Sequence, residues 1–347
     1  MFSFFSRPGP VAATINGRAI DVLPKETILA AALRHGIAFP HSCRVGGCAA
    51  CKCTLVDGQV RQLTDAAYIL SDEDLDKGCI LACQSVPRCD VRIEVDLDGA
   101  AARRTRARVL GREHLTHDIA RLRVQLEEAL SYRAGQFATL AWDALPGVQR
   151  SYSFASPPRP DGQADFFVRQ VPGGVFSSFA HGQDVVGQHL SVHGPLGDFW
   201  LRPGAAPLLM VAGGSGLAPI LAMLAEQPQD AAPRPVHLYF GARSTADLYA
   251  QDAIAALQAR WGARLTYVPV LSAEPEDSAW TGARGLVADA IAPEVARACE
   301  AYLCGPPPMV DAALTQLLRA GARREHIRAD RFTTLHERVG APAPATP

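Results

Sequence analysis

Hydrophobic and polar positions change texture twice along the chain, and each texture predicts a different kind of element. Over residues 11–22 apolar positions flank Asn16-Gly17, a dipeptide that favours the positive φ angles of a tight hairpin, so two short strands are expected. A helix follows: Thr27 stands where a cap belongs, Ile28, Leu29, Ala32 and Leu33 recur at helical spacing, and Gly36 ends the run. A strand is predicted from Cys51 to Val56, turning at Asp57-Gly58, with an acidic stretch from Ser71 to Asp76 beyond it. Alternation in Val91, Ile93, Val95 and Leu97 predicts a closing strand. Residues 1–98 are thus expected to form one small domain, and 99–105 a linker.

From 106 to 203 the texture becomes short strands separated by Gly and Pro clusters, the pattern of a small antiparallel barrel. The predicted strands include Arg108 to Leu110, Ile119 to Leu126, Phe137 to Ala141, Phe166 to Arg169 and Leu190 to Val192. From 204 to 336 apolar runs at Leu208 to Val211, Val236 to Phe240, Leu265 to Val270 and Ala301 to Cys304 alternate with helical stretches. That alternation predicts a parallel sheet covered on both faces. Pro203 through Ala225 carries no charge and has the length of a membrane span. Gly213, Gly214, Gly216 and Pro219 break it into strand, turn and helix start. The Ala-Pro tail, 337–347, is expected to be disordered.

Composition changes this picture little. A hydrophobic share of 48% and a formal charge of −1 describe a globular multidomain chain with no signature for binding nucleic acid. The first residues hold neither a long apolar stretch nor a cleavage-site pattern, so a cytoplasmic protein with no transmembrane segment is expected.

The cysteines change it a great deal. Cys43, Cys48, Cys51 and Cys83 follow C-x4-C-x2-C with a distant fourth Cys, the plant-type spacing in which four thiolates hold a 2Fe-2S cluster. Zinc ribbons want two C-x2-C pairs, and only one is present. Disulfides want an oxidising compartment. Cys53 and Cys79 lie near enough in sequence to stand in for Cys51 or Cys83, whereas Cys89, Cys299 and Cys304 fall outside the pattern.

Four further stretches suggest nucleotide cradles. Arg150-Ser151-Tyr152-Ser153 offers a guanidinium, hydroxyls and a flat ring. Downstream, Gly173-Gly174-Val175-Phe176-Ser177 reads as a glycine turn into a helix whose free N–H groups would hold a pyrophosphate. Gly213-Gly214-Ser215-Gly216 again joins a strand to a helix, although Pro219 stands where the third Gly of G-x-G-x-x-G would be. Cys304-Gly305-Pro306-Pro307 ends a strand at the edge of the sheet where ligands of open α/β folds sit. No second-strand acid follows Phe240, and Arg243 leaves the choice between NADH and NADPH open.

Taken together, these stretches resemble the electron-transfer components of bacterial aromatic-ring and hydrocarbon oxygenases, in which a ferredoxin is joined to a flavoprotein reductase. The resemblance covers nearly the whole chain, with four motifs in the family's order. It implies a multidomain fold: a β-grasp ferredoxin, an antiparallel FAD barrel and a parallel-sheet NAD domain of ferredoxin-NADP reductase type. It further implies that Arg150, Ser151, Tyr152, Ser153 and Gly173, Gly174, Val175, Phe176 and Ser177 hold FAD, with Ser153 near the reactive edge of the flavin. Gly213, Gly214, Ser215, Gly216, Cys304, Gly305, Pro306 and Pro307 would hold the nicotinamide dinucleotide, Cys304 lying where hydride departs, and Phe332 would cover the flavin ring. Ala49 and Ser215 replace residues that are often Gly and Thr in the family. The implied activity is NADH oxidation with electrons passed singly through FAD and the cluster to an oxygenase or hydroxylase, by a chain expected to be monomeric, with docking to a membrane-bound hydroxylase within its reach. The same three modules would serve a non-oxygenase acceptor such as a deoxysugar dehydratase, or a redox sensor without turnover.

Overall fold

The structure is a computed structural model that describes residues 11–41, 44, 46, 49–66, 69–70, 72–97, 102–182, 184–227 and 234–332. The chain divides into two compact units, residues 1–104 with 193–198, and residues 105–192 with 199–347.

The first unit begins with β1 (Val11–Ile15) and β2 (Arg18–Val22), joined as expected through Asn16 and Gly17 at φ 48° and 84°. Helix α1 (Ile28–Arg34) starts at Thr27, whose side chain accepts from the Ala30 N–H. It buries Ile28, Leu29, Ala31 and Ala32 in the core of this unit. Next come β3 (Lys52–Asp57), β4 (Val60–Gln62), α2 (Asp72–Asp76), β5 (Cys79–Leu81), β6 (Ser85–Pro87) and β7 (Val91–Glu94). The main sheet runs β2-β1-β7-β3-β5, with β7 parallel to β1 in its centre, and β4 pairs with β6 in a separate ribbon. The closing strand is shorter than its alternation predicts. After Glu94 the Asn16 side chain takes over the pairing, accepting the Val95 N–H and donating to the Val95 carbonyl, and Leu97 is left exposed.

The next elements, in the second unit except for 103–104 and 193–196, are β8 (Arg103–His114), β9 (Ile119–Leu126), β10 (Phe137–Trp142), β11 (Gln149–Ser153), β12 (Gln163–Arg169), α3 (Val175–Gly182) and β13 (His189–Leu196). Their sheet runs β11-β10-β13-β8-β9-β12, and a bridge between Phe154 and Phe166 brings its two edges together into the expected barrel. Strand β11 has no periodic signal of its own in the sequence; pairing with β10 holds Arg150 opposite Leu140 and Ser153 opposite Phe137.

The remainder is β14 (Leu208–Gly213), α4 (Leu217–Glu226), β15 (Val236–Ala242), α5 (Gln251–Trp261), β16 (Leu265–Leu271), β17 (Ala283–Arg284), α6 (Pro293–Ala298), β18 (Glu300–Gly305), α7 (Pro307–Arg319) and β19 (Ile327–Arg331). All six strands are parallel, in the order β17-β16-β15-β14-β18-β19. Connections after β14 run one way and those after β18 the other, which makes the carboxyl ends of these two neighbours the topological switch point. The uncharged stretch from Pro203 resolves into β14, a turn and α4, and among the described residues no helix is long and apolar enough to cross a membrane. Barrel and sheet share one core, in which Ile119, Ala134, Phe167 and Phe199 pack with Met210, Leu217 and Ile220.

Candidate functional site

Two of the four expected cluster ligands are described. Cys51 enters β3, Cys83 lies on a single 3-10 turn over 82–84, and both are buried. Their sulfurs are placed as acceptors: the Cys83 N–H donates to Cys51 Sγ at 3.4 Å, and the Gln84 amide donates to Cys83 Sγ at 3.7 Å. Such N–H contacts favour a thiolate and suit an iron-sulfur group. Cys53 contrasts with them. Its thiol donates to the Ile80 carbonyl at 3.8 Å and burial pushes its pKa up, which keeps it protonated. Cys79 faces the Thr54 hydroxyl. Cys43 and Cys48 lie outside the described residues. The neighbouring loop turns through Arg44, Gly46 and Ala49 at φ 57°, 76° and 53°, and Gly46 is obligatory because a Cβ there would meet the Gln84 and Thr64 side chains at 2.8 Å. Gln84 also donates to the Arg44 carbonyl, so one residue ties the loop to the Cys83 turn.

In the barrel the two halves of the expected FAD cradle meet. The Tyr152 ring, partly buried on β11, lies 5.2 Å from Phe176 at the start of α3. Phe176 is buried under it and also touches Trp142, so it supports Tyr152 from within the core. Ser177 is likewise turned inward. Its hydroxyl accepts from the Val171 N–H and donates to the Gly174 carbonyl, fixing the turn. Gly174 is packed against that same hydroxyl, whereas Gly173, at φ 70°, has open space on its Cβ side, and Val175 is exposed. The open side of the turn and the first N–H groups of α3 are therefore what a phosphate would meet. Ser153 is buried, Ser151 is exposed, and the Arg150 guanidinium donates to the neighbouring Gln149 carbonyl.

At the switch point Ala212 pairs with Cys304, so the Gly213–Gly216 loop and the Cys304–Pro307 turn stand side by side. Their glycines do different work. A Cβ on Gly216 would run into the Cys304 carbonyl, so that glycine is needed for close packing of β14 against β18, whereas one on Gly213 would displace the Met309 side chain of α7. Gly214, at φ 53°, and Ser215 are the partly exposed positions that could face a ligand. Tyr249, kept protonated by burial, donates to the Gly214 carbonyl at 2.8 Å, and the Arg169 guanidinium of β12 approaches Gly214 from the barrel. Neither residue carries a motif, although each stands beside a strand end or helix start. Cys304 is fully buried and its pKa is pushed well up by that burial. Phe332 donates its N–H to the Gly305 carbonyl at 2.9 Å, and its ring packs on the core that contains Cys304.

These features match known families in the same order. A 2Fe-2S iron-sulfur cluster binding domain matches residues 13–88, an oxidoreductase FAD-binding domain 106–200, and an oxidoreductase NAD-binding domain 210–315. The xylene/toluene monooxygenase electron transfer component of Pseudomonas putida is 44% identical, over 94% of this chain and 95% of its own length. The chain belongs to the electron-transfer reductases of multicomponent oxygenases. The phenol 2-monooxygenase reductase component of Pseudomonas sp. (strain CF600) is 35% identical to this reductase over 93% of the chain and 94% of its own. Among solved structures, the Amycolatopsis cytochrome P450 reductase superposes with a TM-score of 0.68 at 33% identity, covering 93% of this chain and 99% of that one. The ferredoxin reductase of carbazole 1,9a-dioxygenase gives 0.67 at 30% identity, with 93% and 98% covered. The expected three-module architecture and the cofactors FAD, NAD and 2Fe-2S stand on these matches.

Proposed function

We propose that this reductase oxidises NADH and passes the electrons one at a time to the hydroxylase or oxygenase component of an aromatic or hydrocarbon oxygenase, working as a cytoplasmic monomer able to dock on a membrane-bound hydroxylase. One observation carries the reading: a nucleotide loop and a cysteine turn meet at the switch point of a sheet that follows an FAD-type barrel and a cluster-type domain in one chain. FAD, when bound, supplies the change from two-electron to one-electron chemistry, and the 2Fe-2S group supplies the one-electron exit. The protein's own part is placement. Tyr152, backed by Phe176, would pack on the flavin nucleotide, Arg150 would pair with a phosphate, and the turn at Gly173 would receive the pyrophosphate. Gly214 and Ser215 would seat the nicotinamide dinucleotide. Cys304 is neutral and buried, which suits a contact surface beside the hydride path and not a nucleophile. Phe332, tied to Gly305 by its backbone N–H, would shield the flavin. Cys43, Cys48, Cys51 and Cys83 would hold the cluster.

The purified protein should bind flavin and iron, bleach on anaerobic addition of NADH, and reduce cytochrome c over many turnovers. Bleaching without turnover would instead indicate a redox sensor. No bleaching would sink the NADH assignment. The acceptor is then sought by reconstituting hydroxylation with the neighbouring gene product, where a dehydratase or other non-oxygenase activity would favour the alternative partner.

A further inference from the structure

One cation of the barrel is held over the dinucleotide loop with no acidic residue in that loop to explain it. Arg169 closes β12, and its Nε donates to Asp118 Oδ2 at 2.8 Å. Asp118 is itself fixed. The Thr116 hydroxyl donates to Asp118 Oδ1 at 3.0 Å while accepting the N–H groups of Asp118 and Ile119, and the Gln170 N–H donates to the Asp118 carbonyl. The guanidinium is thereby aimed out of the barrel, with Nη1 3.9 Å from the point a Cβ on Gly214 would occupy.

The loop is steadied from the same side. Tyr249 donates to the Gly214 carbonyl, and Phe167, two residues before Arg169, meets the Tyr249 ring edge-on at 5.6 Å. Gly213-Gly214-Ser215-Gly216 contains no carboxylate, and it opens the ten-residue helix α4. A cation beside a helix N-terminus is unfavourable, because the dipole's positive end lies there. An anion between the two reverses the sign of both interactions. The pair with Asp118 orients the guanidinium but contributes little stability of its own, since the Arg169 side chain is 47% exposed and exposed ion pairs stabilise little.

We infer that Arg169 binds the pyrophosphate of the nicotinamide dinucleotide from the barrel side, opposite the N-terminus of α4, with Asp118 and Thr116 as positioning residues. The inference rests on the assignment of Gly213–Gly216 to that dinucleotide. It makes the second nucleotide site a joint product of barrel and sheet. Because the pyrophosphate is common to NADH and NADPH, Arg169 contributes equally to both and plays no part in choosing between them.

The test is Arg169→Met in the full holoenzyme, with Gly214→Val as a control on the site itself. Calorimetric titration with NAD+, ADP-ribose and NADP+ should show an equal loss of affinity for all three, roughly tenfold, the order expected for one charged hydrogen bond. Flavin and iron content should match the parent. Arg169→Lys should recover part of the loss, and Asp118→Asn should show a smaller one. Unchanged affinity in Arg169→Met alongside weakened binding in Gly214→Val would overturn the inference and leave the site standing. Unchanged affinity in both would remove the site assignment as well. A loss confined to NADP+ would overturn the pyrophosphate role in favour of 2′-phosphate recognition, and loss of flavin would move Arg169 to the other nucleotide.

Discussion

The cysteine loop and the Gly213–Gly216 loop are both glycine-bearing turns proposed to hold a cofactor, yet they are held in opposite ways. Around the cysteines the backbone turns through positive φ at Arg44, Gly46 and Ala49, and the long side chain of Gln84 ties the turn to its neighbour. At the dinucleotide loop, the end of β14 is pressed directly against the end of β18, so closely that Gly216 has no room for a methyl group, while Gly213 is covered by the Met309 side chain of α7. The first loop holds backbone strain at Arg44 and Ala49, whereas the second is fixed by close packing. Substitutions should therefore behave differently in the two places.

The largest effect is expected from Gly216→Val. The clash is with the backbone carbonyl of Cys304, which belongs to a central strand and cannot swing away. A cost of about 3 kcal/mol or more is expected, from overpacking with no route of relief. Thermal unfolding should show it as a lowered Tm for the unit that contains both nucleotide modules. A parent-like Tm would mean that β14 and β18 are not as close as described.

Next in size is Cys83→Ser, which should abolish the visible and EPR signals of the cluster while leaving NADH-to-ferricyanide activity. The damage stays local because the sulfur is lost without disturbing the fold, in contrast to Gly216→Val. A stable cluster in this variant would transfer the fourth ligand to Cys79, whose sulfur now faces the Thr54 hydroxyl.

Smaller again is Gly214→Val. This is the one glycine of its loop whose Cβ would clash with nothing, its nearest neighbour being Arg169 Nη1 at 3.9 Å, so the cost is its left-handed φ of 53° and the lost face for a ligand. About 1–2 kcal/mol of strain, and a weakening of NADH binding by roughly tenfold or more, are expected with flavin retained. Release of flavin in place of NADH would show that the two nucleotide sites have been exchanged.

How much of this was legible in the sequence follows the same division. The candidate cluster cysteines, Arg150 to Ser153 and the glycine turns stand out in the sequence because each follows a spacing tied to a known chemistry. The strands Ile119–Leu126 and Leu208–Gly213 were visible because their faces are uniformly buried or regularly alternating. Strand β11 was not, since it mixes exposed and buried positions and is defined by its partner β10. The end of β7 departs from the alternation because an Asn16 side chain 79 residues away replaces the ladder. Roles inside motifs were hidden too. Nothing in the letters separates Gly213 and Gly216, which serve packing, from Gly214, which faces outward, or shows that the Ser177 hydroxyl is used up in its own turn. Tyr249 and Arg169 reach the dinucleotide loop through tertiary contact alone.

The smallest expected effect lies in the strained loop and has the opposite sign. Ala49 adopts φ 53° beside the cluster position, a conformation that costs a residue with a Cβ about 1–2 kcal/mol. Ala49→Gly removes that cost but adds the extra chain entropy of glycine, about 0.5–1 kcal/mol. The balance is a gain of about 0–1.5 kcal/mol, arising wholly in the loop, since the Lys52 N–H still finds the carbonyl of residue 49. A slower loss of cluster absorbance on heating, with flavin release unchanged, would register it. If the variant instead lost its cluster faster, the strain at Ala49 would be offset by contacts of its methyl group, which packs against the core of this unit. In that case the two loops would be alike in depending on close packing, and the contrast between them would reduce to the sulfurs alone.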